Sequence, residues 1–253
     1  MDPRSGPAGT DRESALRELA AIQREHRADS SGRLRAAVLG ANDGLVSNVS
    51  LVMGLAGAAL GPGVVLFAGL AGVVAGALSM ALGEYVSVRV QRESFEALIE
   101  MERREIVIHP EHERHEITVI YRAKGIPAPD AERIAAHVMR DPEVALDLMA
   151  REELGLNPDE LGSPVAVALS SMVAFGSGAM VPVIPFMFLP VTTAAPVAAL
   201  VTVVALLLTG GATARMIGRS PVRGALRLAL LGGVAAAITY TAGRIAGGIA
   251  ATG

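Results

Sequence analysis

The chain places a carboxylate where a carboxylate is expensive. Asp43 sits beside Asn42 inside an apolar run over 36–60, long enough to cross a bilayer as a helix, which takes about 20 residues. An ionisable group at that depth costs roughly 2.5–3.5 kcal/mol, so it marks an ion pathway unless it serves as a helix cap or a helix–helix hydrogen bond. Gly40 and Gly44 flank it and leave the nearby backbone thinly covered, while Ser47, Asn48 and Ser50 add polar oxygens. Met80, on the next apolar run, offers a soft thioether. Alone it reads as core filler; beside an intramembrane Asp it reads as a ligand for a borderline transition metal. Glu84 lies one turn further on the same face. It is either the mouth of the pathway or an interfacial carboxylate paired with Arg89 or Arg35.

A second constellation lies in a polar stretch. Glu102 and Glu105 are spaced i, i+3, Glu113 and Glu116 repeat that spacing, and Met149 and Glu153 are spaced i, i+4. Each pair projects from one helical face, and helical bundles build carboxylate metal sites in this way. Oxygen ligands with one thioether suit Fe²⁺ or Mn²⁺ better than Zn²⁺ or Cu⁺. Spacing alone favours a plainer reading, in which exposed glutamates pair with Arg103, Arg104 and Arg114. His109, His112 and His115 read as solvated. With no Cys in the chain, disulfides and thiolate sites are excluded. The glycines lie in apolar runs rather than after strands, so no phosphate-binding loop or dinucleotide fingerprint is present. No organic cofactor is called for, hydrolytic catalysis has no support, and a net charge of −3 gives no basic face for nucleic acid.

These residues need elements to hold them, and the charge distribution supplies the outline. Of the 25 acidic residues, 18 fall between Glu84 and Glu160, and none follows Glu160. The stretches on either side are Ala, Gly, Val and Leu. The pattern predicts an all-α membrane protein with five transmembrane helices and a cytosolic three-helix insert between the second and third. Residues 1–32 read as a cytosolic polar tail with a short amphipathic helix over 11–28. Residues 33–88 hold the first two spans, 89–161 the insert, and 162–253 the last three spans. The first span covers about 35–60. The second starts near 64 and runs on past 87 as a polar helix, since 88–108 holds no Pro or Gly. The third covers 164–189 and is broken by Pro182 and Pro185; the fourth covers 196–217 and the fifth 225–250. Arginines cluster before the first span, in the insert, and at Arg215, Arg219, Arg223 and Arg227, while the turns near 61–63 and 189–196 have none. The excess of basic residues on one side puts the N-terminus and insert in the cytosol and the C-terminus outside or in a lumen.

Two stretches resemble a known family. Leu34-Arg35-Ala36-Ala37-Val38-Leu39-Gly40-Ala41-Asn42-Asp43-Gly44-Leu45-Val46-Ser47 is similar to the first-span motif of the vacuolar iron transporter (VIT) family, and Gly76-Ala77-Leu78-Ser79-Met80-Ala81-Leu82-Gly83-Glu84-Tyr85-Val86-Ser87 to its second-span motif. The resemblance implies a multi-pass protein of a plasma or vacuolar-type membrane, working as a homodimer. It implies export of Fe²⁺, often with Mn²⁺, from the cytosol in exchange for protons, serving metal homeostasis and detoxification. It implies Asp43 and Met80 as pathway residues, to which the reading of the residues themselves adds Asn42 and Glu84. It also implies an insert that binds Fe²⁺ or Mn²⁺ through Glu102, Glu105, Glu113, Glu116, Met149 and Glu153. Where the family can carry two adjacent methionines, this chain has Met149 followed by Ala150. The competing expectation is a membrane-anchored metal-binding or ferroxidase-like protein in which the spans are only an anchor; Asp43, Asn42 and Met80 count against it, since an anchor has no use for them.

Overall fold

A computed structural model describes residues 32–155 and 163–252. The helix expected over 11–28 lies outside them. All regular elements among the described residues are helical. They are α1 (Gly32–Gly57), α2 (Pro62–Ile108), α3 (Pro110–Ala123), α4 (Ala128–Val138), α5 (Pro142–Glu152), α6 (Pro164–Met180), α7 (Ile184–Phe188), α8 (Val191–Met216) and α9 (Pro221–Ala250). The described residues divide into two compact units, one of 32–78 and 170–252, the other of 79–155 and 163–169.

Four helices, α1, α2, α8 and α9, are long and apolar enough to cross a membrane, and α6 is a shorter apolar helix. At about 1.5 Å per residue the 47 residues of α2 extend about 70 Å, more than twice a hydrocarbon core of about 30 Å. Its polar half therefore stands outside any bilayer its apolar half crosses. The helix ends where the sequence makes it end: His109 precedes Pro110, and a residue before proline is pushed out of the helical region. His109 takes φ −127° and ψ 51°.

In the first unit the apolar segments alternate in direction. Gly40 packs on Ser171, and Gly44 on Phe175 and Ala179, so α6 runs parallel to α1. Gly69 meets Val52 and Val183, and Gly76 meets Phe175, so α2 runs against both. Gly232 meets Val46, Gly54 meets Thr239 and Gly247 meets Ala58, so α9 runs parallel to α1. Gly210 meets Gly224 and Leu228, which sets α8 against α9. The outer face is apolar: Phe67 is 75% exposed and Phe188 78%. Such surface is unfavourable in water and at home in lipid.

The third apolar run is broken as its prolines require. Helix α6 stops at Met180, Pro182 lies in the turn, and five residues of α7 follow. The fourth segment departs from expectation. It begins at Val191, with Pro196 inside the helix rather than starting it. Pro196 falls in the second turn, where it removes only the bond to the Thr192 carbonyl, and Pro190 serves as the N-cap.

The second unit is built around a small apolar core. Ile106 of α2, Ile117 of α3, Ala135 and Val138 of α4, and Ala145, Leu146 and Met149 of α5 form one buried cluster. Gly125 takes φ 89° to turn the chain between α3 and α4. The start of α5 follows its sequence: Asp141 accepts a hydrogen bond from the Glu143 backbone N–H at 3.2 Å, and Pro142 occupies the first helical position, where no N–H is needed.

Candidate metal centre

Each of the three elements that converge in the insert brings one carboxylate by the same local rule. Glu102 is one turn from Ile106, Glu113 one turn from Ile117, and Glu153 one turn from Met149. Residues at i and i+4 share a helical face. Packing the apolar residue into the core therefore draws its glutamate inward as well. The outcome is a carboxylate oxygen from each of Glu102, Glu113 and Glu153, all within 4.8 Å of one another. Glu102 is 1% exposed and Glu113 2%, while Glu153 closes the group at the surface.

Among the described residues, no cation neutralises this group. Arg103 bonds Glu143 at 2.5 Å, Arg104 bonds Glu100 at 3.2 Å, and Arg114 bonds Glu111 at 2.7 Å. The pairing that spacing allowed is therefore made elsewhere. Among the described residues, neither Oε1 of Glu102 nor Oε2 of Glu113 has a hydrogen-bond partner. Buried like charges this close cannot all ionise at ordinary cost. Burial first, and then the charges of Glu153 and Glu113, push Glu102 up to about 8. Glu113 is raised by burial and by Glu116, partly offset by a hydrogen bond from Glu102, so Glu102 keeps a proton and shares it with Glu113. Glu153 is raised by loss of solvent around its carboxyl group and then by Glu116. Three oxygens held together without a counter-charge form a preassembled site for a hard or borderline divalent cation.

The other residues expected at this site lie around it. Glu105 is exposed and Glu116 half-buried, and both add negative charge to the group. Glu116 also lies 3.2 Å from Nε2 of His112, so His112, expected to be merely solvated, edges the cluster. Met149 is fully buried in the apolar core, one turn before Glu153, and its packing alone accounts for its position.

The stretch around Asp43 resolves differently from its sequence reading. Gly40 and Gly44 do not leave the backbone bare. A Cβ at Gly40 would lie 2.8 Å from the Ser171 carbonyl oxygen, and one at Gly44 would collide with the carbonyl of Phe175. The glycines let α1 and α6 approach backbone to backbone. Asn48 is a structural tie: its Nδ2 donates to the Ala179 carbonyl at 2.7 Å and to the Gly69 carbonyl at 3.2 Å. Ser47 and Ser50 donate to the backbone carbonyls of Asp43 and Val46, one turn earlier. What is left uncommitted is Asp43, exposed and without an ion pair or side-chain hydrogen bond among the described residues, and Oδ1 of Asn42, buried without a partner. Met80 and Glu84 belong to the second unit and are half-buried. Arg89, which could have paired with Glu84, bonds Glu93 at 2.5 Å instead.

Comparison with known proteins gives a consistent result. The VIT family matches residues 34–244. Vacuolar iron transporter 1 of Eucalyptus grandis is 33% identical over 208 residues, covering 82% of this chain and 84% of its own. Vacuolar iron transporter 1 of Arabidopsis thaliana is 32% identical, with 84% and 85% covered. A vacuolar iron transporter of Acanthamoeba castellanii is 35% identical, with 85% and 78% covered.

Proposed function

The chain belongs to the VIT family, and on that premise we propose that it exports Fe²⁺, and Mn²⁺ with it, from the cytosol in exchange for protons. It is a transporter rather than an enzyme, as its relatives are. The observation that carries the reading is the buried glutamate group, which has no cation to pair with among the described residues while the neighbouring arginines bond elsewhere. A divalent ion is the partner that would satisfy it. The insert then acts as a cytosolic collector, with Glu102, Glu113 and Glu153 as the inner ligands, Glu105 and Glu116 as outer carboxylates, and Met149 as a neighbouring thioether.

From the insert the ion passes by way of Glu84, Met80 and Asp43, with Asn42 as a carbonyl donor, in a homodimer whose pathway lies between first and second spans. Alternating directions of the apolar segments support five crossings, with the insert and N-terminus on one side. Asp43 lies eleven residues into α1, about 16 Å along its axis, at a depth where an unpaired carboxylate is costly. Exchange of metal for proton at that carboxylate keeps it neutralised in both states. Protonation from the far side weakens the metal site and releases the ion.

The test is flux in liposomes holding the full chain and a pH-sensitive dye, with Fe²⁺ added under anaerobic conditions. Metal entry is expected to drive proton movement the other way, and Asp43→Asn to abolish both while the protein stays folded. Metal binding without any counter-flux of protons would instead identify a membrane-anchored metal-binding protein. Undiminished flux in Asp43→Asn would remove the pathway assignment.

A further inference from the structure

One end of the first unit gathers positive charge that no described residue of that unit balances. The contacts of α9 with α1 fix their register: Val46 meets Gly232, Gly54 meets Thr239 and Ala58 meets Gly247. Extending that parallel register toward the N-terminus brings Arg33 and Arg35 level with the start of α9. The antiparallel contacts of Gly210 with Gly224 and Leu228 bring the end of α8 to the same level. Arg33, Arg35, Arg215, Arg219, Arg223 and Arg227 therefore share one end of the bundle. All six are exposed, and none has an ion pair among the described residues. The described part of this unit holds one carboxylate, Asp43, eleven residues along α1.

Two features point to the partner. The pairs Arg215/Arg219 and Arg223/Arg227 each span four residues. Arg223 and Arg227 lie within α9, where like charges at that spacing repel. An anion between the guanidinium groups reverses that repulsion, and phosphate suits their paired donors. The arginines are also interleaved with exposed apolar side chains: Met216, Ile217, Val222, Leu226 and Leu230 are all 49–67% exposed. A dissolved phosphate gives those side chains nothing. A phospholipid supplies a phosphate for the arginines and acyl chains for the residues beside them.

We propose that this arginine-rich end of the bundle binds anionic phospholipid through its headgroup phosphate. The proposal rests on the membrane embedding given above and not on the transport of iron. Each arginine near an anionic surface contributes enough that removing two weakens binding about thirtyfold.

The experiment uses the full chain in nanodiscs of phosphatidylcholine, with or without phosphatidylglycerol, read by lipid retention in native mass spectrometry and by thermal midpoint. Phosphatidylglycerol is expected to be retained and to raise the midpoint, with both effects falling as salt is raised. R223Q/R227Q is expected to lose about thirtyfold in phosphatidylglycerol affinity, and R244Q, near the opposite end of α9, to keep it. Equal retention of phosphatidylcholine would overturn the proposal, as would full phosphatidylglycerol affinity in R223Q/R227Q. The same midpoint shift with inorganic phosphate would show a free-anion site and overturn the lipid assignment. If R223Q/R227Q does not fold, the wild-type comparison of the two lipids and its salt dependence decide the matter. A chain that binds phosphatidylglycerol yet moves no Fe²⁺ leaves this proposal standing while the transport reading falls.

Discussion

Glu102→Gln tests the collector site most directly, because the structure fixes both the sign and the shape of the effect. Glu102 is buried and pushed up to about 8, so at pH 7 it holds its proton about 90% of the time. A metal ion needs the carboxylate, so binding must expel that proton. Glu102 alone then makes metal affinity rise roughly fiftyfold between pH 6 and pH 8. Gln is neutral at every pH and resembles the protonated glutamic acid. The ratio of wild-type to Glu102→Gln affinity for Fe²⁺ should therefore rise roughly fiftyfold between pH 6 and pH 8. Anaerobic titration calorimetry of the full chain, in buffers of differing ionisation enthalpy, reads affinity and proton release together; an Asp43→Asn background removes the pathway's contribution. The metal-free protein carries the opposite trend. A carboxyl group raised in the folded state contributes stability that is present below its unfolded value of 4.5 and is lost as pH rises toward about 8. Metal should abolish that decline. A constant ratio of affinities across pH 6 to 8, with no proton released, would refute the reasoning.

Three further outcomes follow from the packing and pairing. Gly44→Val drives a side chain into the Phe175 carbonyl and should cost about 1–3 kcal/mol, seen as a lower thermal midpoint. Gly83→Ala, with nothing within 4 Å of its new Cβ, should not lower it. Asn48→Leu leaves the Gly69 and Ala179 carbonyls without their donor and should destabilise by about 1–2 kcal/mol; an unchanged unfolding midpoint would show that the tie is dispensable. Arg103→Gln breaks a surface pair with Glu143 and should leave metal affinity within about twofold. A tenfold change would mean that Arg103 acts on the glutamate group after all.

Most of the fold was legible because its causes are local. Apolar runs of bilayer length became helices, and Pro110, Pro142 and Pro182 each ended or began one where the backbone demanded it. The fourth span was expected to start at 196, whereas α8 begins at Val191 with Pro196 inside it. A second-turn proline is tolerated when one lost hydrogen bond is all it removes, and Pro190 was the better cap. The glycines beside Asp43 misled for a different reason. A sequence shows that a helix face is bare, but not what lies against it. Gly40 and Gly44 meet α6, more than a hundred residues away along the chain.

The site shows which part of a spacing argument carries information. The i, i+3 pairs established that Glu102 and Glu105, or Glu113 and Glu116, share a face, and could not say which member is inside. The deciding relation is the i, i+4 step to a core residue: Glu102 to Ile106, Glu113 to Ile117, Glu153 to Met149. It was present in the sequence all along and needed only the identity of the core. Neighbouring arginines carried less information than their number suggested. Three were close enough in sequence to neutralise the glutamates, yet each bonds an exposed carboxylate on the outside. The physics favours that choice, because a surface pair keeps both ions hydrated while a buried pair must strip them. A mobile divalent ion does not face the same constraint. It brings two charges to several ligands at once and leaves again, so a protein that must load and unload a cation gains by keeping its own cations out of the site.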